Sequence, residues 1–163
     1  MGVINWKDFW DEKARHADPH QQVGRSLNEA APEARLDAIA DDIARKLSLQ
    51  ETDTLLDVCC GNGVLTRHLA SRCRHVTGVD LSPVQVGNAR SDQPANVTFR
   101  EGNAMRLEAS VREAFDKILC YFSFQYFDTY QKGRRVVHAM NERLLLVALP
   151  ALPCADARYQ PNG

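Results

Sequence analysis

Apolar positions along this chain follow two rhythms, and the rhythms alternate. Short runs rich in Val, Ile, Leu and Phe at Thr54–Val58, His75–Val79, Asn96–Arg100 and Lys117–Phe122 predict four strands. Between them lie stretches with helical spacing. From Pro32 to Leu49, Leu36, Ile39, Ile43 and Leu47 fall on one stripe while Asp37, Asp41, Asp42, Arg45 and Lys46 lie mostly off it. Further helices are expected at Val64–Ser71, after Ser82-Pro83 (a capping serine and a first-turn proline), briefly at Glu108–Ala114, and over Tyr130–Leu144. Strand and helix in strict turn predict an α/β, doubly wound, mostly parallel sheet with flanking helices.

The two ends depart from this rhythm. In the first 28 residues, Trp6, Phe9 and Trp10 at i, i+3 and i+4 make one sticky helical face, which either docks on the main body or forms a lid over a ligand site. At the other end, Asn141 to Pro150 passes from helix-like to apolar sequence without a glycine or other turn signal. Either Leu144–Leu149 is a fifth strand after an abrupt turn, or the helix continues to about Leu149 and stops before Pro150; the helix extension is preferred. The expected organisation is an N-terminal helical cap or lid over 1–31, a cofactor-binding domain over 32–149 and an irregular tail over 150–163.

Composition adds constraints. The formal net charge of −1 gives no general electrostatic reason to bind nucleic acid, and the clusters Arg67/Arg72/Arg74/His75 and Lys132/Arg134/Arg135 read as solvated helix faces. No apolar run approaches the ~20 residues that cross a bilayer. The N-terminus lacks signal-peptide order, and five scattered cysteines without a CxxC pair suggest reduced thiols in a cytoplasmic protein with no metal site.

The chemistry concentrates where strands end. Thr54-Leu-Leu-Asp57-Val-Cys59-Cys60-Gly61-Asn62-Gly63 runs from a strand through an acid into a glycine turn, and Asp80 ends the next strand 19 residues after Gly61. Glycines let backbone lie against a ligand, and a carboxylate at a strand end accepts two hydroxyl protons from a ribose diol. A nicotinamide dinucleotide would want a third glycine in the GxGxxG pattern, where this chain has Val64-Leu65-Thr66.

From Asp53 to Tyr130 the sequence resembles class I S-adenosylmethionine-dependent methyltransferases. Asp57 to Gly63 is similar to that family's first motif, with Cys59 replacing the first glycine, as in an Asp-Val-Cys-Cys-Gly stretch common in the quinone-methylating branch. Gly78-Val79-Asp80-Leu81-Ser82 resembles the second motif, whose acid binds the ribose hydroxyls and whose next apolar residue packs on adenine. Glu101-Gly102-Asn103-Ala104 resembles the third, usually Gly-Asp-Ala, so Asn103 offers adenine an amide oxygen instead of a carboxylate. The resemblance implies a Rossmann-like fold and S-adenosyl-L-methionine as cofactor, held by Asp57, Cys59, Gly61, Gly63, Asp80, Leu81, Asn103, Ala104 and Tyr121, with Arg25 meeting the donor's carboxylate.

It further implies methyl transfer to a small-molecule acceptor. The fourth-strand exit should face that acceptor, with Gln125 and Tyr126 orienting it and Tyr126 or Asp128 taking a proton; core and rim packing is the other reading of the aromatics there. The resembling fold has seven strands, and the sequence after Leu149 is too short for the last two. A C-terminally shortened sheet is therefore expected, with an edge that favours self-association. The alternative function is a degenerate S-adenosylmethionine-binding domain without turnover, acting as an interaction module.

Overall fold

The computed structural model describes residues 4–23 and 33–145. The chain order is α1 (Trp6–Lys13), α2 (Pro19–Gln22), α3 (Glu33–Leu47), β1 (Thr54–Val58), α4 (Val64–Ala70), β2 (His75–Asp80), α5 (Pro83–Arg90), β3 (Val97–Glu101), β4 (Lys117–Leu119) and α6 (Tyr130–Asn141). Two 3-10 turns, Ala104–Ala109 and Phe124–Tyr126, precede β4 and α6. The strands form one parallel sheet in the order β3-β2-β1-β4. Asp57 pairs with Gly78 and with Leu119, and Asp80 with Glu101.

Side chains alternate across the sheet and divide the core in two. Leu55, Val76, Val97 and Phe99 pack beneath Ala40 of α3, Leu65 and Leu69 of α4, and Val86 and Ala89 of α5. Leu56, Val58 and Val79 face the other way, onto Leu107, Val111, Phe115 and the Val136 and Ala139 stripe of α6. Burying each of the larger side chains contributes roughly 1.5–3 kcal/mol. Helices on both faces leave β1 and β2 no solvent side, so they read as near-continuous apolar runs. Local chemistry sets the helix starts: Ser82 Oγ accepts Gln85 N–H at 3.1 Å ahead of Pro83, and Thr129 Oγ1 accepts Lys132 N–H at 3.2 Å.

Three sequence expectations are corrected. The helix expected at Glu108–Ala114 is replaced by the earlier 3-10 turn over Ala104–Ala109, because the Asn103 side chain caps Met105 N–H at 2.9 Å and starts the turn there. The fourth strand stops at Leu119; Phe122 takes a left-handed conformation (φ 56°) and ends the extended run. The last helix does not continue to Leu149. It ends at Asn141, and Leu144 forms a parallel bridge with Phe115, with Phe115 N–H donating to Arg143 O and Leu145 N–H to Phe115 O, both at 2.7 Å. The tail over 150–163 and the rest of the Leu144–Leu149 segment lie outside the described residues. No helix among the described residues is long and apolar enough to cross a membrane.

Candidate cofactor and acceptor cleft

The strand order reverses direction between β1 and β4, and ligands of open α/β sheets collect at the carboxyl ends of strands beside such a switch. A cleft of about 500 Å³ lies there. Its floor is the turn after β1. Cys59 and Cys60 both donate their backbone N–H to Val79 O, at 2.7 and 3.1 Å, clamping this turn to β2. Gly61 (φ 58°) and Gly63 (φ 73°) are left-handed, where a side chain is strained. Space excludes one as well: a Cβ on Gly61 would stand 2.9 Å from Val23 Cγ1, and one on Gly63 would enter the Phe99 ring.

Two acids face this floor. Asp80 receives Gly61 N–H at 2.8 Å and Ser82 N–H at 2.9 Å on its two oxygens, which fixes the carboxylate at the end of β2. Burial still pushes its pKa up, against the backbone N–H groups that stabilise the charge. Asp57 is buried and accepts Thr66 Oγ1–H at 2.7 Å. Burial pushes its pKa up to about 7; the Thr66 hydrogen bond opposes the shift and the charge on Asp80 adds to it.

The cleft brings together Asp57, Cys59, Gly61, Asp80, Leu81, Asn103, Ala104 and Tyr121 from the expected cofactor set, and Tyr126 from the expected acceptor set. Asn103 spends one lone pair of its amide oxygen on Met105 N–H. Gly63 sits behind the floor as the N-cap of α4. Gln125 and Asp128 do not themselves line the cleft: Gln125 is exposed and donates to Phe122 O at 2.8 Å, and Asp128 pairs at 2.7 Å with Lys132, which does line it. Arg25 lies outside the described residues.

Sequence reading missed how firmly the N-terminal segment is tied over this cleft. Asn62 donates to Pro19 O at 2.8 Å and to Gln22 Oε1 at 2.9 Å; Gln85 donates to Gln22 O and Asn88 to Ala14 O. Ser82 Oγ also donates to Asp11, whose other oxygen holds Lys7. Trp6 and Trp10 of α1 thereby reach Tyr126, with ring centroids 5.0 and 5.2 Å away, and all three rings line the cleft. Their i, i+4 spacing was the available signal; the amides that anchor them carry none.

The cleft fits a nucleoside with a charged tail. Asp80 is a fixed acceptor for a diol, exposed Leu81 offers an apolar face beside it, and Gln85 Oε1 is a buried acceptor left without a partner at the cleft wall. The model of the methyltransferase domain family matches residues 55–144. An uncharacterised methyltransferase of Schizosaccharomyces pombe is 34% identical over 109 residues, 66% of this chain and 41% of that protein. The 23S rRNA (uracil(1939)-C(5))-methyltransferase of Klebsiella pneumoniae is 38% identical over 80 residues, 45% of this chain and 18% of that protein. The S-adenosylmethionine-bound structure of CalS10, an amino pentose methyltransferase from Micromonospora echinaspora, superposes with a TM-score of 0.63 at 28% identity, over 74% of this chain and 52% of that one. The chain thus spans about half, or less, of the length of these three relatives. It belongs to the methyltransferase domain family.

Proposed function

We propose that the chain transfers a methyl group from S-adenosyl-L-methionine to a small-molecule acceptor seated between α1 and the exit of β4. The observation that carries this reading is the aromatic wall of Trp6, Trp10 and Tyr126, which shares one cleft with Asp80 and the glycine turn. Bound there, S-adenosyl-L-methionine supplies an electrophilic methyl on a sulfonium, a reaction that needs alignment and a dry site more than covalent help.

The residues divide that work. Asp80 holds the ribose hydroxyls and Leu81 the adenine face; Gly61 lets backbone approach the ligand; Asp57 places negative charge at the cationic methionine end. Trp6 and Trp10 exclude water and present flat apolar surface to the acceptor, and the Tyr126 hydroxyl orients it. Small-molecule acceptance finds support in the amino pentose activity of CalS10 and in this chain's net charge of −1. The four cysteines among the described residues are free thiols, which supports a cytoplasmic setting.

Release of S-adenosylhomocysteine from S-adenosylmethionine over a panel of amino sugars, phenols and structured RNA tests the reading. Turnover with a small acceptor that falls when Trp10 becomes alanine supports it. Turnover with RNA alone overturns it. Cofactor binding without turnover on any acceptor replaces it with the binding-module reading.

A further inference from the structure

The residue at the first glycine position of the floor is Cys59, and the fold holds it in an unusual conformation. Its φ is 63°, a left-handed value costly for a side chain with a Cβ. Along β1 the faces alternate: Leu55 packs with the α3–α5 layer, Leu56 and Val58 with the α6 layer. Continued extension would send the residue at 59 to the Leu55 side. The left-handed turn sends it back, and Cys59 packs against the same cluster as Val58. Cys120 packs against that cluster too, one residue past the end of β4. The β1–β4 register, Leu56 with Ile118 and Asp57 with Leu119, continues to place Cys120 across from Val58.

Cys120 is near enough there to push the Cys59 thiol's pKa up. Both residues are half-buried, both thiols are free, and Cys59 lines the cofactor cleft. Adjacent parallel strands lie about 4.8 Å apart, and a disulfide takes Cα separations of about 4.4–6.8 Å.

We propose that Cys59 and Cys120 form a thiol–disulfide modification site, closed by a low-molecular-weight disulfide, and that closure disables the cofactor cleft. The thiolate of one cysteine attacks the small disulfide, breaking its S–S bond and releasing one small thiol. The thiolate of the other then attacks the mixed disulfide, forming the Cys59–Cys120 bond and releasing the second small thiol. Two protein thiols are oxidised, one small disulfide is reduced, and the two protons leave on the two small thiols. The new bond ties the floor turn covalently to β4 while Gly61 remains tied to Asp80 and Cys59 N–H to Val79 O, so the cradle can no longer adjust around the cofactor.

Cys60 and Cys73 do not compete for this bond. Both are buried in the opposite layer, and Cys73 Sγ is directed to Leu69 O. The thiol of Cys59 is pushed well up by the nearby Cys120 thiol, by burial and by the charge on Asp80. Closure is therefore slow at neutral pH and quickens as pH rises.

The test uses the full chain with Cys154→Ser, treated with oxidised glutathione or left reduced. Peptide mapping by mass spectrometry reads the bond, and titration with S-adenosylhomocysteine reads the cleft. The expected result is a Cys59–Cys120 linkage, a loss of about two mass units, formation that is faster at about pH 9 than at about pH 7, and affinity lower by on the order of tenfold or more. Dithiothreitol should restore the affinity. Cys120→Ser, outside the cleft lining, should bind like the reduced protein and ignore the oxidant. A linkage elsewhere, or none in a folded protein, overturns the site; a linkage with unchanged affinity overturns the gating. If the reduced protein fails to bind S-adenosylhomocysteine, the proposed function fails while the mapped linkage still decides the modification.

Discussion

Asp80 Oδ2 accepts the backbone N–H of Gly61 at 2.8 Å across 19 residues of sequence. A carboxylate at one strand end thus fixes the left-handed turn at the next, so the acid proposed to anchor the ribose also shapes the cleft floor. Asp80→Ala removes both functions. Affinity for S-adenosylhomocysteine should fall by about 2 kcal/mol, roughly 30-fold, by calorimetric titration. Unchanged affinity would remove Asp80 from the site.

The glycines make a second, paired test. Gly63→Ala forces a Cβ toward the Phe99 ring at φ 73°, and should cost about 2–4 kcal/mol in denaturant unfolding. Gly87, inside α5, has open space where a Cβ would stand, with nothing within 4 Å, so Gly87→Ala should stabilise by about 0.5–1 kcal/mol. Equal effects at the two positions would contradict this packing.

Asp57 supplies a pH dependence. Its folded pKa of about 7 stands above the ordinary value of 3.8, so the folded protein holds this proton more tightly than the unfolded chain. Its contribution to stability is fully present below about pH 4 and is lost as pH rises through about 7. Asp57→Asn keeps an acceptor for Thr66 without the buried charge. The variant should gain on the parent by on the order of 2–4 kcal/mol between about pH 4 and pH 8. A pH-independent difference in melting would refute the assignment. Affinity for cationic S-adenosylmethionine should move the opposite way in the parent protein, tightening as Asp57 ionises.

Both tryptophans of the chain, Trp6 and Trp10, line the cleft. Intrinsic tryptophan fluorescence therefore reports its occupancy without a label. Acceptor binding should shift or quench the emission, and Trp10→Phe should reduce that change while leaving S-adenosylhomocysteine affinity within about threefold. An acceptor that turns over without altering the emission would place its seat elsewhere.

The strands were legible because β1 and β2 are buried on both faces and read as apolar runs, while β3 alternates buried Val97 and Phe99 with half-buried Thr98 and Arg100. The start of α5 was legible because Ser82-Pro83 caps it locally. The end of α6 was not: nothing near Asn141 breaks a helix, and the chain turns there because Phe115, far away in sequence, offers both a donor and an acceptor. The spacing of Asp57, Gly61 and Asp80 anticipated that they would come together at the ends of β1 and β2, where they line one cleft. Spacing alone did not separate Gln125 and Asp128 from Tyr126: the 3-10 turn at Phe124–Tyr126 puts Tyr126 in the cleft lining, leaves Gln125 exposed and sets Asp128 against Lys132. The amides of Gln22, Asn62 and Asn88 carry no periodic signal, and only the folded chain brings them together.

The central claim is that Asp80, the glycine turn and the cleft above them form a working cofactor site. Calorimetric titration of the reduced protein with S-adenosylhomocysteine tests it most directly. One site per chain with micromolar affinity, lost in Asp80→Ala, is the expected result. No heat of binding from a protein that melts cooperatively would contradict it.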